Sequence, residues 1–401
     1  MVTLEDVLSA RERIRDAVYL SPCPRTETLS RLSRTQAFLK LDNLQMTGAY
    51  KERGALNKLL TLGTAERERG LIAASAGNHA QAVAYHAGRL HVKATIVMPE
   101  TTPIMKVANT RGHGAKVVLH GANYDEAYGE ARRLEREEGM TFVHPFDDEA
   151  VIAGQGTMGP EILEQVPELD AVVVPVGGGG LVSGLGVAMK ALSPRVRVIG
   201  VQTEALPSML AALEASEIVT LEGATTIADG IAVKRAGEIT FEHVRRYVDE
   251  IVTVSEEEIA SAILYLLERE KTVVEGAGAV AVAALMHHRL RGLEGRRVCA
   301  VISGGNIDVN VVARVIERGL VKDGRLVRID IKLLDKPGQL AKVSGVISHH
   351  KANVIEVHHS RAFTERLGDT TLLLTLETRG PEHVEEILRA LRERGYQVDR
   401  V

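Results

Sequence analysis

Five short runs rich in β-branched and other apolar residues, at positions 94–98, 116–119, 171–174, 196–199 and 298–302, are separated by longer stretches whose apolar residues recur at helical spacing. Runs with so little polar alternation suit strands covered on both faces, and strands joined through helices form parallel sheets. The expected fold class is therefore α/β, with open parallel sheets. Three strand-like segments run straight into small-residue turns: Ala73-Ala74-Ser75-Ala76-Gly77-Asn78-His79, Pro175-Val176-Gly177-Gly178-Gly179-Gly180 and Ile302-Ser303-Gly304-Gly305-Asn306. Ligands of open α/β sheets collect at such carboxyl ends, so these turns are the first place to look for chemistry.

The rhythm changes after about residue 320. Val327, Ile329, Ile331 and Leu333 alternate as a strand, and Asp335-Lys336-Pro337-Gly338-Gln339-Leu340 opens a helix with apolar positions at Leu340, Val343 and Ile347. Strands near 353–360 and 370–376, a helix over 381–394 and a last strand at 396–401 complete βαββαβ, a ferredoxin-like plan. The expected domains are 1–320, carrying the chemistry, and 325–401, which lacks any lysine-plus-glycine pattern and reads as a binding or regulatory module.

A chain of 401 residues with 45% hydrophobic and 25% charged residues has material for two or three domains. Its 49 basic residues nearly balance 53 acidic ones, so no global field draws it to nucleic acid or to an anionic membrane. The N-terminus lacks the basic-then-apolar order of a secretory signal, and the apolar stretch 171–189 is interrupted by Pro175 and glycines. The two cysteines, Cys23 and Cys299, have no metal-ligand spacing. The expectation is a cytoplasmic chain with neither nucleic-acid nor membrane partners. The histidine pairs 287–288, 349–350 and 358–359 point in divergent directions on helix or strand and make poor chelates.

Two features suggest a covalently held, phosphorylated cofactor. Lys51 stands among small residues, Gly48, Ala49 and Gly54, which let the backbone pass close to a ring, while Arg53 and Lys58 add positive potential that favours a neutral amine. A lysine amine condenses with an aldehyde, and the glycine run with Leu181 can turn its amides toward a phosphate at a helix start. Pyridoxal 5'-phosphate (PLP) offers both handles. A dinucleotide is the competing ligand, but its fingerprint needs glycines at the first, third and sixth positions. The sixth is Val182 counted from Gly177 and Ser183 counted from Gly178. Glu204, just past the next strand, stands where a ribose-binding acid would be expected and keeps that alternative open.

Ser75, Ala76, Gly77, Asn78 and His79 read as an anion cradle, with Ser75 as a candidate cap and the following amides aimed at a carboxylate. Ser303 could donate its hydroxyl to the cofactor's pyridine nitrogen. A hydroxyl does not hold that nitrogen protonated as a carboxylate does, which disfavours transamination and leaves β-elimination as the natural chemistry.

Taken in order and spacing, the Lys51 segment, Ser75-Ala76-Gly77-Asn78-His79, the four glycines and Ser303-Gly304-Gly305-Asn306 resemble the fold type II PLP enzymes, most closely their threonine dehydratase branch. The resemblance spans about residues 1–320 and implies a smaller subdomain nested at about 48–146. The tail's Asp335-x-Pro337-Gly338-x-Leu340 looks like an ACT domain, an amino-acid-sensing module. The resemblance further implies that Lys51 binds the cofactor and acts as general base, that Tyr50 and Glu275 line the cofactor, that Asn78 bonds its phenolic oxygen, and that residues 75–79 hold the substrate carboxylate. Ser75 matches an opposite-face acid/base position of related racemases. The implied reaction converts L-threonine, and also L-serine, to a ketoacid and ammonia. A homodimer or homotetramer, with isoleucine or a related amino acid as effector, is implied by the tail. Serine dehydratase or racemase activity, or a catalytically idle sensor, are the alternatives. Two positions depart from the pattern: Tyr50 replaces a common phenylalanine, and Gln202 stands where racemase-like members place a metal-binding carboxylate.

Overall fold

The computed structural model describes residues 1–361 and 368–401, which divide into two compact units, Met1–Asp308 and Val309–Val401. The first unit contains strands β1 (Gln36–Leu41), β2 (Leu71–Ala74), β3 (Ala94–Met98), β4 (Lys116–Leu119), β5 (Thr141–Phe142), β6 (Ala171–Pro175), β7 (Arg197–Thr203), β8 (Glu250–Val254) and β9 (Arg297–Ile302). They form a five-stranded sheet in the order β1-β9-β6-β7-β8 and a four-stranded sheet in the order β4-β3-β2-β5. Every pairing in both sheets is parallel.

Four of the five expected runs lie wholly in strands and the run 196–199 enters its strand one residue late, at Arg197, and the α/β class with open parallel sheets holds. Val172, Val173 and Val174 of β6 are fully enclosed, as burial on both faces requires, and each such side chain contributes about 1.5–3 kcal/mol over its exposed state. β1 was not foreseen because Lys40 interrupts its apolar character, yet that lysine is buried and paired with Glu161. β8 was hidden for a different reason: it is a partly exposed edge strand beginning with Glu250.

Helix starts follow local chemistry. Thr3 and Asp6 form a reciprocal capping box, as do Ser255 and Glu258, and the run Glu256-Glu257-Glu258 occupies the first turn, where the helix dipole favours acids.

The second unit begins with the helix Val309–Lys322 and continues as β10 (Leu326–Leu334), a helix Gln339–His349, β11 (Asn353–Ser360), β12 (Asp369–Glu377), a helix Pro381–Glu393 and β13 (Gln397–Arg400). The sheet order is β11-β12-β10-β13, antiparallel throughout, which gives the ferredoxin-like βαββαβ plan. Val327, Ile329, Ile331 and Leu333 share a core with Leu372, Leu374 and Leu376 of the paired strand, the outcome expected of period-two alternation. Asp323-Gly324 makes the turn into β10, with Gly324 at a φ of +65°. Among the described residues, no helix is long and apolar enough to cross a membrane.

Candidate active site

Lys51 opens the helix Lys51–Thr61 at the end of a turn tied to the large sheet. The Tyr50 amide donates to the Ser303 carbonyl at 3.0 Å, and the Gly305 amide to the Gly48 carbonyl at 2.9 Å. Gly48 has a φ of +74°, and a Cβ there would stand 2.7 Å from the Asn306 side chain, so a non-glycine residue would be strained and crowded together. The turn thus sets Lys51 beside the end of β9.

The Lys51 Nζ donates to the Pro145 carbonyl at 2.7 Å and lies 5.3 Å from the centre of the Tyr50 ring. Burial lowers its pKa to about 8, against the opposing pull of Glu275. About a tenth of this amine is therefore neutral and nucleophilic at pH 7, far more than for an ordinary lysine.

The next residue along the Pro145 segment meets the glycine loop. Gly179 has a φ of +98° and precedes the helix Gly180–Leu192, and the Thr240 hydroxyl donates to the Gly178 carbonyl at 2.6 Å. A Cβ on Gly178 would come within 2.5 Å of the Phe146 ring, on Gly179 within 2.7 Å of Met209, and on Gly177 or Gly180 within 3.0 Å of neighbouring backbone. The loop has room for backbone alone. As the opening of a helix, the amides of Gly178, Gly179, Gly180 and Leu181 lack intrahelical acceptors. A lysine amine of lowered basicity and a side-chain-free amide loop, joined through residues 145 and 146, fit an aldehyde and a phosphate on one molecule.

Ser75 follows β2, and the helix Asn78–Arg89 begins three residues later with Gly77 in the cap position. Ser75 is accordingly not the capping residue expected from sequence: its hydroxyl accepts from the Gly77 amide at 3.2 Å, within the turn itself. Ala76, Gly77 and Asn78 remain partly exposed, while His79 is buried. The His79 Nε2 lies 2.8 Å from the Val143 carbonyl, and burial together with the charge of Lys51 lowers its pKa to about 3, so the ring is neutral.

Asn78 donates to the Glu275 carboxyl at 2.7 Å and accepts from the Asn306 amide at 2.8 Å. Three turns far apart in sequence meet in this chain of bonds. Burial, reinforced by the like charge of Asp229, pushes the Glu275 carboxyl up to about 7. Ser303 is buried at the end of β9. Lys51, Tyr50, Asn78, Glu275 and Ser303 are thereby brought to the carboxyl ends of strands from both sheets.

Sequence reasoning missed His144, Pro145, Phe146 and Asp147, and it placed Asn306 in a candidate turn without giving it a role. Asp147 accepts the amides of Glu238, Ile239 and Thr240, and His144 accepts those of Phe146 and Asp147. The available signal was a rigid proline turn after a two-residue strand, closed by Asp148 as a helix cap. Two other positions have other partners here. Glu204 pairs with Arg289 at 3.5 Å rather than facing the glycine loop, and Gln202 accepts from the Leu210 amide at 2.9 Å.

Fold and site together define a PLP enzyme, and the chain belongs to that family. The family described as pyridoxal-phosphate dependent enzyme matches residues 14–304, and the ACT domain matches residues 327–394. PLP is its cofactor. Over 399 residues the chain is 50% identical to a Thermotoga maritima protein named L-threonine ammonia-lyase, covering 99% of each. It is 44% identical over 315 residues to the catabolic L-threonine dehydratase TdcB of Escherichia coli, covering 78% of this chain and 96% of that one. Among solved structures, the processed form of threonine deaminase isoform 2 from Solanum lycopersicum superimposes with a TM-score of 0.75 at 37% identity, covering 78% of this chain and 86% of that one.

Proposed function

We propose that the chain converts L-threonine to 2-oxobutanoate and ammonia, and L-serine to pyruvate and ammonia, by PLP-dependent β-elimination. The observation that carries the chemistry is the Lys51 amine, lowered to about 8 beside the carboxyl ends of both sheets. The choice of substrate is supported by the whole-length similarity to a protein named L-threonine ammonia-lyase. When bound, PLP supplies an electron sink for negative charge developing at the substrate Cα.

In this reading Lys51 holds the cofactor, and its amine, once freed, takes the Cα proton. The amides of Gly178, Gly179, Gly180 and Leu181, with Gly177 leading into the loop, hold the phosphate. Asn78, oriented by Glu275 and Asn306, faces the phenolic oxygen, and Ser303 faces the ring nitrogen. Tyr50 walls the site beside Lys51. Residues 75–79 receive the substrate carboxylate, and Ser75 occupies the position that matches the opposite-face acid/base of related racemases. Loss of the β-hydroxyl followed by hydrolysis returns one water for the one expelled, so the net products are ketoacid and ammonia. Release of 2-oxobutanoate from L-threonine, with no D-threonine or D-serine formed in a chiral assay, tests this reading; racemised amino acid without ketoacid would refute it.

The ACT domain supports an amino-acid effector, for which isoleucine or a relative is the candidate, acting in a homodimer or homotetramer. Ending the chain at Lys322 is expected to leave turnover and abolish the response to isoleucine; a response kept by the shortened chain would refute that role. Free Cys23 and Cys299 support a cytoplasmic setting.

A further inference from the structure

Glu52 and Arg53 follow Lys51 directly and anchor its helix in different ways. Arg53 is fully matched: its guanidinium pairs with Asp42 at 2.7 Å and Glu161 at 2.7 Å, and Lys40 also reaches Glu161 at 2.7 Å. Glu52 is only half matched. One carboxyl oxygen accepts the Thr47 amide and closes the turn leading into Lys51. The other is enclosed and has no hydrogen-bond partner.

Facing that oxygen, at 3.6 Å, is the His86 Nε2. Both His86 nitrogens are likewise enclosed without a partner, and neither side chain has any solvent exposure. His86 lies in the last turn of the helix Asn78–Arg89, whose opening residues form the proposed substrate cradle, and that helix packs on the Lys51 helix. A buried carboxyl oxygen and a buried imidazole are each costly alone and satisfy one another with a single shared proton. A closure of well under an ångström brings them to hydrogen-bond distance.

We propose that Glu52 and His86 are a positioning pair, whose hydrogen bond fixes the turn before Lys51 against the cradle helix and so sets where the Lys51 amine stands in the site. The pair touches neither cofactor nor substrate. It rests on the proposed role of Lys51, and it adds a buried polar contact between the lysine turn and the cradle helix to their apolar packing.

The test follows apoprotein recombining with added PLP, read by absorbance as Lys51 takes up the aldehyde with loss of water, alongside the melting temperature of the apoprotein. H86L, which removes the donor, is expected to slow recombination about tenfold. H86Q, which restores an N–H at similar reach, is expected to recover to within about threefold, and H86N, too short to reach, is expected to match H86L. Should H86L fail to fold, H86N against H86Q carries the same comparison. Parental recombination in a folded H86L or H86N, whatever the melting temperature, would leave only a structural role and overturn the proposal. An H86Q as slow as H86N would overturn it too, because packing rather than the hydrogen bond would then matter. No amino acid enters the assay, so a parent that recombines but fails to consume threonine refutes the substrate reading alone; a parent that does not recombine overturns both.

Discussion

The two units bury very different things. The first encloses Lys40, Asp42, Arg53, Glu161, Glu52, His86 and Glu275, most of them on or against the helix that begins at Lys51. The core of the second is built from Val, Ile and Leu, and its described ion pairs, Arg361–Asp335 and Arg328–Glu356, lie at the surface. Charges removed from water stabilise a fold poorly compared with apolar packing, but they fix orientation sharply when every partner is present. The chain fixes position, rather than merely burying surface, around one lysine and not in the sheet of the second unit.

The sharpest way to break that contrast is Arg53→Met. It strands Asp42 in the interior, leaves Glu161 with Lys40 as its one ion-pair partner among the described residues, and is expected to destabilise the first unit by ~3–5 kcal/mol in denaturant unfolding. Burial alone would raise the pKa of Asp42, but Arg53 outweighs it and holds the carboxyl below its ordinary range. That stabilisation is complete above an ordinary aspartate pKa of about 3.9 and fades as pH falls through the lower folded value. Arg53→Met removes that contribution, so the stability gap between parent and variant should be widest near neutral pH and narrow as pH falls below about 3.9; a gap that does not change with pH would mean that Arg53 is not what holds Asp42 ionised. Next in size is Gly178→Ala, whose Cβ would meet the Phe146 ring. Overpacking of about 1–3 kcal/mol should weaken PLP binding roughly tenfold or more in equilibrium titration while leaving the tail's melting unaffected. Smallest for catalysis is Leu374→Ala in the tail core. It should cost the second unit about 2–5 kcal/mol yet leave kcat for threonine within about twofold, which separates the two units directly.

The same contrast decides what was legible in the sequence. The tail could be followed nearly element by element, because Val327, Ile329, Ile331 and Leu333 carry period-two alternation and Asp323-Gly324 and Pro381 mark its turns. In the first unit, Lys51, the four glycines and Ser303 stood out because their chemistry is local: a reactive amine, backbone without side chains, a strand end. What stayed hidden depends on distant partners. Lys40 disguised β1 because its counter-charge Glu161 lies 121 positions away. Nothing near Glu52 in sequence points to His86, and Pro145 acquires meaning only when the Lys51 amine is seen to reach its carbonyl.

The chemistry of the first unit is expected to depend on the Lys51 amine, and removal of that side chain tests this dependence. Absorbance spectra of the PLP-loaded parent and of Lys51→Ala are recorded before and after L-threonine, with 2-oxobutanoate assayed in the same cuvette. A near-visible band is expected in the parent and lost in the variant, with ketoacid production reduced by at least about 10³-fold. A variant that keeps the band and makes ketoacid at the parental rate would contradict that dependence.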